Sequence, residues 1–436
     1  MPTKLGGRVV QNREALLLVI FSLLSLGITY ATSIFVARML GPGGFERYAV
    51  AVATLTLLST MAESGVGKLS IQMLPGYESA KQWDLAAGYW RYSIGLVLLV
   101  SILLGFGIVL VDLLEDRELN HHSLLMAAAF LPGLALAGVS IDFVMANRNP
   151  IHGAIIARII VPATTLTLVF AVAFLHTSFS PALAVACFGM GSVVGTILAA
   201  GVYRRKAAPE IFSIKPAYDR RFWFRECLTF LALTTLVSWI FKISLIILEA
   251  LPVSSVEVAS FAAALETGCM ILLISKSTDK YFQPYISVMI EREAWEQGEI
   301  VRRRRWIFVG SVCLIFMILI ILFGRWILKL YGESFASGYP HLCLIAAGSC
   351  VWTLFSLSSS YLKFSGLNRL VLIVTASAAV LMAFMTYGLG YYWGTTGAAM
   401  AFCFVLIGTS LAFRLLAIRQ YRRASLASQL ASLNPP

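Results

Sequence analysis

ALLLVIFSLLSLGITYATSIFVA, residues 15–37, holds no charged side chain over its whole length, with Arg13 and Glu14 before it and Arg38 after it. As a helix it would rise about 35 Å, enough to cross a hydrocarbon core of roughly 30 Å. Working outward along the chain, mostly apolar runs of similar length recur at 48–74, 88–111, 123–146, 154–175, 182–202, 227–250, 256–281, 306–330, 338–362, 370–391 and 394–418. They are continuous rather than alternating apolar and polar, so they predict helices and not barrel strands. With 59% hydrophobic and 13% charged residues in 436, little polar surface remains to cover a soluble domain. The reading is an all-α integral membrane protein of about twelve transmembrane helices.

Positive charge sets the predicted orientation, because Lys and Arg flanking spans stay on the cytoplasmic side. Of the 34 basic residues, only Arg38, Arg47, Arg117, Arg325 and Lys329 fall in segments predicted to be outside. The acidic group Asp112, Glu115, Asp116 and Glu118 is also outside, and both termini are expected in the cytoplasm. Lys68 is counted with the inner charges, and Arg302 to Arg305 read as a stop against translocation. The net charge of +12 is therefore topological and directed at anionic headgroups, with no nucleic-acid partner expected. The first apolar run exceeds a secretory h-region and no A-x-A site follows it, so it is expected to remain as a span. The seven cysteines and five histidines have no metal-ligand spacing and read as packing or incidental residues.

The longest polar stretch, YRRKAAPEIFSIKPAYDRRFWFR at 203–225, divides the spans six and six. It predicts a first bundle at 1–202, a cytoplasmic linker at 203–225 with a short amphipathic helix near Phe222 to Phe224, a second bundle at 226–419 and a tail at 420–436. Residues 284–305 mix Glu and Arg and suit a surface helix between spans eight and nine. LGPGGFERYAVAVATL from Leu40 has a loose counterpart in LPVSSVEVASFAAALE from Leu251, which favours a parallel repeat of two six-helix bundles. Pro132-Gly133, Pro162 and the series Gly189, Gly191 and Gly195 permit kinks and close helix contacts.

Several local patterns carry a resemblance. Ala37-Arg38-Met39-Leu40-Gly41-Pro42-Gly43-Gly44-Phe45 with Tyr48 beyond is similar to an "A-R-x-L-G-P-x-G-F-x-x-Y" turn, and Glu63-Ser64-Gly65-Val66-Gly67 to an acidic-x-Gly segment in span two. Leu330-Tyr331-Gly332-Glu333-Ser334-Phe335 resembles an external "L-Y-G-x-x-F/Y" stretch. Ser365-Gly366-Leu367-Asn368-Arg369 and Gly394-Thr395-Thr396-Gly397-Ala398-Ala399 resemble an inner "x-G-x-x-R/K" turn and a "G-x-x-G-A-A" helix start. In this order they resemble the polysaccharide-type flippases of the MOP exporter superfamily, which also contains the multidrug MATE transporters. The resemblance implies a two-lobed MATE/MOP-like transporter in a bacterial cytoplasmic membrane that moves lipid-linked oligosaccharide between leaflets. Expected partners are that cargo, membrane lipids, and a polysaccharide polymerase with its chain-length regulator.

Ionisable groups inside spans are costly and mark candidate sites. Lys242, about 15 residues from the inner boundary of span seven, is the leading candidate for a phosphate contact, against a structural ion pair with Glu63 or Glu266. Lys276, Asp279 and Lys280 share one helical face and form either a basic entrance or a self-neutralising cluster, with Arg158 a further cation at an inner helix end. Glu63, Asp142 and Glu266 are candidates for H+ or Na+ coupling, and no cofactor is expected. There is no P-loop, which argues against ATP-driven transport by this chain alone. The rival readings are a multidrug exporter of the same superfamily and a membrane polysaccharide polymerase or glycosyltransferase.

Overall fold

The computed structural model describes residues 3–114, 122–147, 149–175, 179–275, 278, 279, 282, 286 and 295–433, and leaves the side chains of 3–16, 111–114, 122, 295–301 and 424–433 undescribed. Ten helices among the described residues are long and apolar enough to cross a membrane. Two of them, Leu17–Ser79 with 63 residues and Asn368–Arg423 with 56, would be about 95 and 85 Å long if straight, well over twice the hydrocarbon thickness. Each is folded at a glycine. Gly41 takes φ 67° and ψ −179°, and Trp393-Gly394 leaves the helix with Gly394 at φ 57° and ψ −141°. Divided at those two bends, the ten stretches among the described residues are long enough to supply twelve crossings. The conformations are open to glycine and strained for other residues.

The chain forms two compact units, Met1–Lys242 and Ile243–Pro436. The first begins with α1 (Thr3–Ala62), bent at Gly41, and continues through α2 (Val66–Ser79), α3 (Trp83–Leu114) and α4 (His122–Ala146). It then runs through α5 (Pro150–Ile155), a π turn (Ile156–Ile160), α6 (Val161–Leu175), α7 (Pro181–Lys206) and α8 (Glu210–Ser213) into α9 (Arg220–Glu249). The glycine series of α7 is a contact surface: a Cβ on Gly189 would strike Phe130 of α4, on Gly191 Thr165 of α6, and on Gly195 Val161 of α6. The π turn has a local cause. Pro162 has no N–H to give the carbonyl of Arg158, four residues earlier, and its ring crowds that carbonyl, so the helix widens there.

The segment read as a linker is packed against the first unit. Trp223 is fully buried, its ring 5.3 Å from Tyr89 and its Nε1–H donating to Tyr77 at 3.0 Å. Ala217 N–H donates to Asp84 O at 3.0 Å, and Gly88 leaves room for the Ala217 carbonyl. The compact unit therefore runs through residues 203–225 and ends inside α9, while Phe222 and Phe224 on either side of Trp223 are exposed.

The second unit contains the end of α9, α10 (Ser255–Gly268), a 3-10 turn (Cys269–Ile271), α11 (Trp295–Lys329), a second 3-10 turn (Glu333–Gly338), α12 (Tyr339–Phe355), α13 (Leu357–Phe364) and α14 (Asn368–Leu433). Small residues again set the spacing. Gly268 of α10 lies against Ile345 and Ala346 of α12, and Gly348 of α12 against Cys403 of α14. His341 Nε2 lies 3.3 Å from Thr395 Oγ1 and 3.1 Å from Thr396 Oγ1, which ties the start of α12 to the reversal at Gly394. All seven cysteines are free thiols, five of them buried. Of the expected surface helix at 284–305, residues 284, 285 and 287–294 lie outside the described residues, and α11 begins at Trp295.

The backbone of α9 approaches Gly65 so closely that a Cβ there would strike it, which sets a stability expectation. Gly65→Ala should lower the melting temperature of the purified protein, equivalent to about 1–3 kcal/mol. Gly95→Ala, on an exposed helical position with open space around it, should leave the melting temperature unchanged or slightly raised.

Candidate functional site

Span two is discontinuous at Glu63-Ser64-Gly65. Ser64 has φ 50° and Gly65 φ 72°, so the helix ends at Ala62 and restarts at Val66. The freed backbone groups are reused locally: Glu63 N–H donates to Ser59 O at 2.8 Å and Val66 N–H to Glu63 O at 3.0 Å. Only glycine fits at position 65. Its missing Cβ would fall 2.6 Å from Cys227 O and 2.7 Å from Leu231 N, so the backbone of α9 lies directly on the break. Tyr89 of α3, fully buried, donates to Val66 O at 2.6 Å and fixes the restart from the other side.

Around this break three charged side chains converge. Lys68 Nζ lies 2.8 Å from Asp142 Oδ2 and 3.0 Å from Oδ1. The Asp142 side chain is buried, at 8% exposure, and the Lys68 side chain is 47% exposed. Gly67 makes room for the Asp142 carboxylate, and Gly138 for Glu63 Oε1. Gly138 and Asp142 are one helical turn apart on α4, so the two carboxylates share a face of that helix. Lys68, counted in the sequence reading among the inner flanking charges and given no partner there, is paired with Asp142 in the structure. It lies within the apolar stretch Leu17–Ser79 and turns back into the protein wall. The signal available beforehand was its place five residues after Glu63 in a run otherwise free of charge.

The other candidates are distributed differently. Arg158 sits half-buried in the middle of the π turn. Lys242 is half-buried and is the last residue of the first unit. Lys276 and Lys280 lie outside the described residues. Glu266 accepts a hydrogen bond from Tyr331 at 3.3 Å, within the second unit. The described residues contain no group of three or more His, Cys, Asp and Glu side chains able to hold a metal ion.

The arginine run also departs from its simple reading. Arg305 is 3% exposed, and its guanidinium donates to Asp279 Oδ1 at 2.6 Å, Ser356 Oγ at 2.8 Å and Leu354 O at 3.1 Å. Ser356 is the break between α12 and α13, so Arg305 caps carbonyl groups that the break leaves free. Asp279, expected beside Lys276 and Lys280, is the partner of Arg305.

Residues 12–290 match the profile of the family described as polysaccharide biosynthesis protein. The chain belongs to that family. No curated protein sequence matches it. Its fold is similar to that of a multidrug resistance MATE family transporter of the MOP superfamily in an inward-facing conformation, with a TM-score of 0.76, 12% identity and coverage of 95% of this chain and 99% of that one. It is similar too to the eukaryotic MATE transporter AtDTX14, with a TM-score of 0.67, 15% identity and 96% and 99% coverage. The lipid II flippase MurJ in an inward closed conformation matches with a TM-score of 0.64, 14% identity and 95% and 91% coverage. The protein is thus a multi-pass membrane protein with the fold of MOP-superfamily transporters.

Arg305→Gln should destabilise the purified protein by about 3 kcal/mol, because it strands Asp279 without a counter-charge. Arg303→Gln and Arg304→Gln, which alter exposed residues of the same run, should leave the thermal midpoint within error of the parent.

Proposed function

We propose that this chain is a flippase that carries polyprenyl-(pyro)phosphate-linked oligosaccharide from the inner to the outer leaflet of a bacterial cytoplasmic membrane, for assembly of a surface polysaccharide such as O-antigen, capsule or exopolysaccharide. The observation that carries the reading is membership of a polysaccharide biosynthesis family in a chain whose described residues are almost entirely membrane helix and short connections. That composition supports a passage for cargo across the membrane. The cargo head is a charged phosphosugar on an apolar tail. Arg158 and Lys242 receive the phosphates, Lys276 and Lys280 form the cationic approach, and the tail stays in lipid. Alternating access exposes the head on the far side, with both termini on the cytoplasmic face. Glu63, Asp142 and Glu266 are the carboxylates at which H+ or Na+ is taken up during the cycle. A polymerase and chain-length regulator would consume the delivered units.

The test is surface polysaccharide in a flippase-deficient bacterial strain that expresses this chain. The parent should restore it, and Lys242→Ala or Arg158→Ala at matched membrane abundance should reduce it by about tenfold or more, with Lys242→Arg retaining most of it. Failure to restore polysaccharide with any sugar unit, together with efflux of cationic drugs, would replace this reading with multidrug export.

A further inference from the structure

We infer that the Lys68–Asp142 pair is a binding site for a tetrahedral oxyanion, such as a phosphate or sulfate group, and that it fills together with a proton on Glu63. A lysine ammonium has three N–H donors. Two lie toward Asp142, at 2.8 and 3.0 Å, and the third belongs to a side chain that is 47% exposed while its partner is 8% exposed. The pair is therefore one-sided: Asp142 is sunk in the wall against Gly67, while the Lys68 side chain is half exposed and keeps one ammonium donor that Asp142 does not use. A lysine that merely snorkels would carry its ammonium to the headgroups, away from a buried carboxylate. This one is anchored where a membrane span is broken.

Charge balance supplies the proton. The charged groups acting on Glu63 are Asp142 from α4 and Lys68 from α2. The other elements packed on the break present the Tyr89 hydroxyl of α3 and the Cys227 backbone of α9. Two carboxylates and one ammonium sum to a net −1, so an arriving anion is repelled while Glu63 is ionised. With a proton on Glu63 the cluster is neutral and the free donor of Lys68 decides. Anion and proton therefore favour each other's binding, by the same factor in both directions. Where the anion is the phosphate of the cargo, which rests on the flippase reading, head and proton travel the same way at this site. Exchange against an inward-moving cation then belongs to another carboxylate, such as Glu266.

The experiment is calorimetric binding of inorganic sulfate, a dianion that does not itself titrate near neutrality, to the full chain in zwitterionic-lipid nanodiscs. Performed between about pH 6 and pH 8 in two buffers of different ionisation heat, it counts protons. The parent should take up protons with sulfate, and its affinity should fall by about tenfold or more across the range. Glu63→Gln should bind sulfate with no pH dependence, and Lys68→Gln should lose at least about tenfold in affinity. Proton release, or binding with no proton exchange, in the parent overturns the inference even if Lys68→Gln fails to fold. So does undiminished binding in a folded Lys68→Gln. Proton-linked sulfate binding without restored polysaccharide would keep this site and reject the flippase reading, and the reverse pattern would reject the site alone.

Discussion

A charge inside a bilayer has to be answered by a counter-charge in the protein wall, and in the first unit the Lys68–Asp142 pair meets that demand. Much of the surrounding structure follows from it. The ammonium can reach Asp142 only if α2 and α4 lie close, which requires a small residue at Gly67. Glu63 can sit on the same face of α4 only because Gly138 leaves space. Ser64 and Gly65 break the span between the two, and that break is tolerable in an apolar setting because Tyr89 and the backbone of α9 close over it. A discontinuous helix with charges at the discontinuity is how an apolar bundle presents polar chemistry at membrane depth.

The second unit meets the same demand with different residues. Arg305 answers Asp279 and caps carbonyls released where α12 gives way to α13. Here the cation is the buried partner and all its bonds point into protein, so the pair is structural. In the Lys68 pair the cation is the exposed partner. That difference in which charge faces outward separates a staple from a binding site.

The spans were legible because an apolar run of about twenty residues has few alternatives, and the reversals because Gly41-Pro42 and Gly394 are turn residues between such runs. The site was legible only in pieces. Glu63, Asp142 and Arg158 stand out as charges in spans, but nothing in the sequence joins Lys68 to Asp142, 74 positions apart. Lys68 also lies near the predicted inner end of its span, where a basic residue has a ready topological explanation. Arg305 was hidden among four identical letters. Its signal was the spacing 305, 309, 313, which places it on one helical face with the buried Val309 and Cys313. The packing of 203–225 was not legible because Trp223 stands between two exposed phenylalanines in a polar stretch, and only tertiary contacts make it core.

The most direct test of the central claim is a double-mutant cycle at this pair, with the thermal unfolding of purified Lys68→Gln, Asp142→Asn and the double variant measured at one pH. If the pair holds the break together, each single change should cost more than about 1 kcal/mol, and the double variant should cost clearly less than their sum. Strict additivity, with no coupling between the two positions, would contradict the account.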